Sequence, residues 1–196
     1  KALFIKTILP LALAVNDRLK KYRDTLIELD QPNRTLTVEE RQWVKSIAKL
    51  HKSPDQVPGK LLSRIGPLPV DLIIAQAAVE SGWGTSRYSR EGNAVFGQYT
   101  FDESKGLKPK NRNKNDEFFI KKFRNLSESV RSYLKNINTH LAYADFREER
   151  KKLRMSGENL SGYKLVNFLK DYSERRESYI KDVKEIISSN NFQKYD

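Results

Sequence analysis

The chain has 196 residues, of which 38% are hydrophobic and 32% are charged, so we expect a domain-sized core covered by helices with one apolar and one ionic face. The net charge of +12 predicts attraction to polyanions such as nucleic acid, anionic lipid or bacterial cell wall, without choosing among them. Cysteine is absent, which excludes thiolate chemistry, and His51 and His140 give little support for a metal site or a Ser/His/Asp triad.

The N-terminal part of the chain predicts helices. Apolar residues recur at helical spacing from residue 5 to residue 29, which fits one or two helices kinked at Pro10. A capping-box pattern at residues 37–40 opens another helix, and residues 52–60 predict a loop before a short helical piece at 61–65. We therefore expect a helical extension over residues 1–58, packed on a domain that spans residues 59–196.

No stretch of the sequence approaches the roughly 20 apolar residues that cross a bilayer. Residues 3–15 are the most apolar segment, and their small residues resemble the end of a signal peptide. Lys6 and Pro10 interrupt this segment, and a helical pattern continues beyond it. These features favour a helix of the mature protein over a targeting peptide.

Residues 68–79 predict the most hydrophobic helix of the chain. Pro69 and Asp71 suit a helix start, and Gly82 stands where the helix would end. Almost no polar face remains, so this helix should pass through the core.

The remaining sequence predicts a small β region followed by more helices. Residues 89–123 are rich in glycine and aromatics, with a strand expected around residues 118–123. Helical periodicity returns at residues 127–138, 143–155, 160–171 and 173–188. This order predicts a mainly α (α+β) fold, with a helical lobe and a small β lobe flanking a cleft.

Glu80 lies at the C-terminal end of the apolar helix. Apolar surroundings and the negative end of the helix dipole both disfavour its ionised form, which predicts a raised pKa. A glutamic acid that is protonated near neutrality can donate its proton to a glycosidic oxygen. Glycines flank Trp83, whose indole would pack on a sugar ring. The alternatives are a solvated Glu80, or one paired with Arg87 or Arg90, and a Trp83 that only packs in the core.

Three motifs carry a resemblance to a known family. They are Glu-Ser-Gly-Trp-Gly at residues 80–84, Asn-x-x-Phe-Gly at 93–97, and Phe-Arg at 123–124 ahead of a serine-bearing helix. Over roughly residues 60–190 the chain resembles the bacterial endo-β-N-acetylglucosaminidases. The resemblance implies a lysozyme-like fold and hydrolysis of the β-1,4 bond between N-acetylglucosamine and N-acetylmuramic acid in peptidoglycan.

The resemblance also implies roles for particular residues. The general acid falls on Glu80. The second carboxylate of the family falls on Glu117, with Asp116 as a rival and with Asp102 and Glu103 still open. Its separation from Glu80 would decide between a retaining mechanism, at about 5 Å, and an inverting one, at about 6.5–9.5 Å, while the substrate's acetamido group is a third option.

A tyrosine of the family's cleft falls on Tyr179 in preference to Tyr172. We therefore expect Glu80, Glu117 and Tyr179 as catalytic residues. The expected substrate-binding residues are Trp83, Asn93, Phe96, Gly97 and Tyr172.

Two other functions stay open. A lytic transglycosylase would also use a single glutamate, but its usual Gly-Leu-Met-Gln element is replaced here by Phe96-Gly97-Gln98. A polyanion-binding module without enzymatic activity would use only the positive charge. Hydrolysis is the reading that the motifs favour.

Two basic clusters predict a solvated surface, or alternatively retention on the anionic wall or binding of peptide-stem carboxylates. The first cluster lies in a predicted loop and contains Lys105, Lys108, Lys110, Arg112 and Lys114. The second lies in a predicted helix and contains Arg147, Arg150, Lys151, Lys152 and Arg154. Neither carries a nucleic-acid motif. We expect a monomer that binds peptidoglycan glycan strands and no nucleic acid, with no metal or cofactor. Because its substrate lies there, we expect it in the cell envelope, periplasmic or exported.

Overall fold

The computed structural model describes residues 1–109 and 117–196, and helices dominate them. The helices are α1 Ala2–Leu29, α2 Val38–Leu50, α3 Pro58–Leu61, α4 Val70–Ser81, α5 Arg87–Gly92, α6 Leu126–Thr139, α7 Ala144–Met155, α8 Gly162–Leu165 and α9 Glu177–Ser189. The strands are β1 Tyr99–Thr100, β2 Gly106–Leu107 and β3 Phe119–Lys121. The predicted mainly α fold with a small β lobe is confirmed.

Helix α4 is the centre of the core. It is buried along nearly its whole length, as its sequence predicts, because α1, α8 and α9 pack around it. The helix ends at Gly82, which takes the left-handed conformation with φ 56° and donates its N–H to the Ala78 carbonyl. Glycine adopts this conformation without the steric cost of a Cβ atom.

Helix α1 is one continuous helix with Pro10 inside it, rather than two helices. The buried face of α1 belongs to the same hydrophobic core as α4. Asn16 joins α1 to the residues just before α4. Its side-chain amide donates to the Leu68 carbonyl at 2.7 Å, and its Oδ1 accepts the Leu68 N–H at 3.0 Å. Residues 1–58 thus pack on the rest of the chain, and the domain boundary at residues 58 and 59 stays a prediction.

Helix α2 begins with the predicted capping box. The Thr37 side chain accepts the Glu40 N–H, and the Glu40 carboxylate accepts the Thr37 N–H. This reciprocal pair satisfies two amides that the first helical turn would leave without partners.

The sheet is antiparallel, with β3 between β1 and β2. Tyr99 pairs with Ile120, and Gly106 pairs with Lys121. A side chain at Gly106 would collide with Phe119, so the close pairing of these strands needs glycine there. The sheet is small, and its first strand leads directly into the cleft described below.

Residues 160–176 differ from the two long helices that the sequence predicts. Only the short α8 forms, followed by 3-10 turns at Val166–Phe168 and Lys170–Tyr172, and α9 begins at Glu177. Tertiary packing overrides the helical periodicity here. The Gly162 N–H donates to the buried Asp71 carboxyl of α4, and Leu165 and Leu169 are fully buried.

The basic face predicted for α7 is partly buried, which corrects the expectation of a solvated surface. Arg147 and Arg150 retain only 7% and 1% of their accessible surface. Of the basic loop, Lys110, Arg112 and Lys114 lie outside the described residues. Among the helices of the described part, none is long and apolar enough to cross a membrane.

Candidate active site

A cleft of about 400 Å³ opens at the C-terminal end of α4, beside strand β1. Residues from α4, the segment before β1, the end of α6 and the turns before α9 form its walls. Those residues are Glu80, Phe96, Gly97, Gln98, Tyr99, Asn136, His140, Ala142, Tyr143, Asp171, Tyr172 and Glu174.

Glu80 lies in the last turn of α4 and is half-buried in this cleft. Burial raises the pKa of its carboxyl, and a hydrogen bond from Tyr179 and the positive charge of Arg175 lower it by less. The net direction agrees with the sequence-based expectation. Arg87, one of the alternative partners, instead pairs with Glu91 at 3.4 Å.

A buried chain of hydrogen bonds leads to the Glu80 carboxyl. Tyr133 donates its hydroxyl hydrogen to Gln76 Oε1, and Gln76 Nε2 donates to the Tyr179 hydroxyl oxygen at 2.9 Å. Tyr179 is also hydrogen-bonded to Glu80. Because the Tyr179 oxygen accepts the bond from Gln76, the Tyr179 hydroxyl hydrogen is available to donate to the Glu80 carboxyl. Gln76, Tyr133 and Tyr179 each retain at most 1% of their accessible surface, so bulk water does not compete for these bonds.

Stacked aromatic rings hold the same tyrosine in place. Tyr172 stacks on Tyr179 with ring centroids 5.6 Å apart, and its hydroxyl donates to the Phe96 carbonyl at 2.8 Å. Phe96 in turn stacks on Tyr133 at 4.0 Å. These contacts tie the segment before β1 to α6 and α9 around the base of the cleft.

Gly97 forms the surface on which the Glu80 carboxyl lies. Its φ of +60° is left-handed, and a Cβ atom there would lie 2.5 Å from Glu80 Oε2. Only glycine combines that backbone conformation with so close an approach. The motif at residues 93–97 and the motif at residues 80–84 therefore meet at one carboxyl group.

The glucosaminidase family, described as mannosyl-glycoprotein endo-beta-N-acetylglucosaminidase, matches residues 60–192. The chain belongs to this glycosidase family. The resemblance predicted from the motifs is confirmed.

Two individual proteins are similar to this family member. Protein bax of Escherichia coli strain K12 is 32% identical over 188 residues, which are 91% of this chain and 65% of bax, so the chain spans just under two thirds of that relative's length. The crystal structure of the catalytic domain of the autolysin Auto from Listeria monocytogenes aligns with a TM-score of 0.45 and 18% identity. That alignment covers 90% of this chain and 97% of the Listeria domain.

Of the site residues predicted from the sequence of this family member, the structure brings five together. They are Glu80, Phe96, Gly97 and Tyr172, which line the cleft, and Tyr179, which lies beneath it.

Contrary to the expectation from the sequence, two predicted substrate-binding residues, Trp83 and Asn93, do not line this cleft. Trp83 packs edge-on against Phe4 and Phe192, at 5.8 and 6.3 Å between ring centroids, and does not line the cleft. Three consecutive residues, Gly82, Trp83 and Gly84, have positive φ, and the indole contacts α1 rather than the cleft. Asn93 ends α5 in the left-handed conformation and donates to the Phe123 carbonyl at 3.0 Å, which joins α5 to the segment after β3.

The candidates for the second carboxylate have different surroundings. Glu117 is exposed just before β3, and Asp116 lies outside the described residues. Asp102 caps the turn Glu103–Lys105 and bonds Ser104 and Lys105, and these bonds hold its pKa low. Of the described candidates, none lines the cleft, namely Glu117, Asp102 and Glu103.

The sequence did not predict several residues in or next to the cleft. Asp171 and Glu174 place two further carboxyl groups on the cleft wall, and Gln76 orients Tyr179. A signal for Gln76 was present in the sequence, since it is a single amide within an otherwise apolar stretch of α4. The signal for Asp171 and Glu174 was weaker, because their segment reads as part of two helices.

Proposed function

We propose that this family member is a peptidoglycan hydrolase that cleaves the β-1,4 bond between N-acetylglucosamine and N-acetylmuramic acid. One observation carries the proposal: a carboxyl group with a raised pKa lies in an open cleft, held by Tyr179 and by the backbone of Gly97. The family match agrees with a glycan substrate that contains N-acetylglucosamine.

Glu80 is the general acid of this proposal. When protonated, it donates its hydrogen to the glycosidic oxygen as the bond from that oxygen to the sugar C1 breaks. Glu80 then becomes a carboxylate, which the Tyr179 hydroxyl and the Arg175 charge stabilise. These interactions are stronger after proton transfer than before it, so they favour the transition state.

Glu117 is the proposed second carboxylate, acting as a base for water or as a stabiliser of the positive charge at C1. It is exposed, and it lies on the segment that enters β3, the central strand of the sheet beside the cleft. We propose to compare Glu117→Gln with Asp116→Asn, and the variant with the larger loss of turnover identifies the residue. Equal and mild losses would remove both from the mechanism.

The location of the protein in the cell envelope, periplasmic or exported, is part of the same proposal. Peptidoglycan lies there, and the net charge of +12 favours retention on an anionic wall.

Digestion of purified peptidoglycan, followed by mass spectrometry of the fragments, tests the function. Reducing N-acetylglucosamine ends are the expected products. Anhydro ends would show a transglycosylase instead, and the absence of fragments would leave only a binding module.

Glu80→Gln tests the residue. It keeps nearly the same shape but cannot donate the proton, so we expect turnover to fall by roughly a hundredfold or more while the fold and wall binding persist. Glu91→Gln, an equal charge change on exposed helix α5, serves as the control. Retention of more than a tenth of the wild-type rate by Glu80→Gln would exclude Glu80 as the acid.

A further inference from the structure

A second cavity, of about 610 Å³, shares no lining residue with the cleft. Helices α1, α3 and α7 and the segment after α3 form its walls. Its lining residues are Arg23, Asp55, Gly59, Lys60, Leu62, Ser63, Arg147, Arg150, Lys151, Arg154 and Met155. Six of them are cationic and only Asp55 is acidic, and Asp55 already pairs with Lys60 at 3.3 Å.

The guanidinium groups of this cavity bond to backbone carbonyls rather than to carboxylates. Arg23, Arg150 and Arg154 all donate to carbonyl oxygens of residues 62–67. Within residues 1–109 and 117–196, no ion pair joins any of the three to an acidic side chain. Asp24 and Glu148 lie near Arg23 and Arg147 but do not line the cavity. Carbonyl groups satisfy N–H donors but do not neutralise the positive charge.

Arg150 is the most confined of these residues. It retains 1% of its accessible surface, and its Nε has no hydrogen-bond partner. Burial lowers its pKa first, and the positive charges of Arg154, Arg23 and Arg147 lower it further. Burial likewise lowers the pKa of Arg154 to about 10, with Arg23 adding to the effect. The cluster therefore holds like charges together, and no carboxylate forms an ion pair with Arg23, Arg150 or Arg154 within the described residues.

Gly66 lets two of these guanidinium groups approach the same stretch of backbone. A Cβ atom at this position would lie 2.8 Å from Arg154 Nη1 and 3.1 Å from Arg150 Cζ. The absence of a side chain at Gly66 therefore leaves room for both guanidinium groups beside this stretch of backbone.

We propose that this cavity binds a phosphoryl anion. Each guanidinium has five N–H donors in a planar fork, and the carbonyls of residues 62–67 use only some of them. A phosphoryl group presents several oxygens and up to two negative charges, which suits converging arginines better than a single carboxylate does. The exposed ammonium groups of Lys60 and Lys151 would hold the rest of a larger ligand.

Two sources supply this chemistry, namely a soluble phosphate or diphosphate and a phospholipid headgroup. The inference does not depend on the proposed hydrolysis, because the cavity and the cleft are separate.

The test is titration of the full chain with sodium pyrophosphate at constant ionic strength, followed by calorimetry and thermal unfolding. A parallel arm uses flotation with phosphatidylcholine vesicles that contain phosphatidic acid. Lys152→Gln is the matched control, because Lys152 is an exposed residue of α7 outside the cavity and pairs with Glu149. Lys151→Gln removes the same charge from the cavity itself.

We expect the wild-type chain and Lys152→Gln to bind one of the two probes with equal affinity. Arg154→Gln should bind it at least tenfold more weakly, and Lys151→Gln about threefold more weakly. Binding of pyrophosphate supports a soluble ligand, and binding of vesicles alone supports a lipid headgroup. The inference is overturned if neither probe binds, or if Lys151→Gln and Lys152→Gln weaken binding equally. Lys151→Gln keeps the test decisive if Arg154→Gln does not fold.

Discussion

Replacement of Tyr179 by phenylalanine tests how the cleft controls its acid. The change removes one hydroxyl and leaves the ring, with its stacking on Tyr172, in place. That hydroxyl has two partners, since it accepts from Gln76 Nε2 at 2.9 Å and is bonded to Glu80. The variant therefore leaves the buried Gln76 amide without this acceptor and the Glu80 carboxyl without this donor.

The two lost partners predict two magnitudes. An unsatisfied buried donor costs about 1–3 kcal/mol, and each kcal/mol lowers the melting temperature of a chain of this size by about 2–4 °C. A hydrogen bond to a charged group contributes about 1.5–3 kcal/mol. Because Glu80 gains its charge during proton transfer, the loss falls on the transition state, and turnover should decrease roughly tenfold to a hundredfold.

The pH dependence gives the sharper readout. Glu80 acts as an acid only when protonated, so activity is lost as the pH rises through its pKa. The bond from Tyr179 lowers that pKa, so its removal raises the pKa and moves the alkaline limb of the pH–rate profile to higher pH. We would measure initial rates of peptidoglycan digestion across the pH range for the wild-type chain and the variant.

Tyr172→Phe is the matched control. It also removes one tyrosine hydroxyl, but that hydroxyl donates to the Phe96 carbonyl and not to Glu80. We expect Tyr172→Phe to lower stability without moving the alkaline limb. The reasoning is refuted if Tyr179→Phe leaves that limb in place, moves it to lower pH, or shifts it no more than Tyr172→Phe does.

Two further predictions concern Gly97 and His51. Gly97→Ala should reduce turnover by at least roughly tenfold, because its Cβ would displace the Glu80 carboxyl. Gly157→Ala is the control, since Gly157 has φ +73° and no atom lies within 4 Å of a Cβ there. This variant should impose only the backbone strain of about 1–2 kcal/mol. Digestion rates and melting temperatures of the two variants separate displacement from strain, and equal rates would show that the approach of Gly97 to Glu80 does not matter. Burial, and then the charge of Lys135, lowers the pKa of His51 to about 4. In the unfolded chain this pKa is near 6.5, so between about pH 6.5 and pH 4 the unfolded chain takes up a proton that the folded chain does not. The folded state therefore loses stability as the pH falls through this range. Between pH 7 and pH 5, the free energy of unfolding of His51→Gln should therefore decrease by up to about 2 kcal/mol less than that of the wild-type chain. Urea unfolding measures this difference, and an identical decrease in both chains would exclude the linkage.

Short-range signals predicted much of the fold. Each of these signals involves residues that are only a few positions apart. They are the apolar run of α4 with the glycine at its end, the capping box at Thr37 and the glycine-rich β region. Local backbone preferences and hydrophobic periodicity act over that same range, which is why sequence reasoning located these elements.

The motifs also predicted part of the site. Glu80 and Gly97 belong to separate motifs, and the resemblance brought them together before any contact was known. The structure shows how they meet: the Glu80 carboxyl lies directly against the backbone of Gly97.

Long-range packing decided the rest. No pattern in the sequence indicated that Trp83 would contact α1, or that Arg150 would be buried without a carboxylate partner. Residues 160–176 fold against α4 instead of forming the helices that their periodicity predicts.

The sequence by itself determined most of the helices, the small sheet and the proposal of Glu80 as the acid. Only the tertiary structure decided which side chains surround that acid, because Gln76 and Tyr179 are 103 positions apart and meet through the packing of α9 against α4. Contacts of this kind depend on how whole elements pack, and local sequence carries no record of that packing.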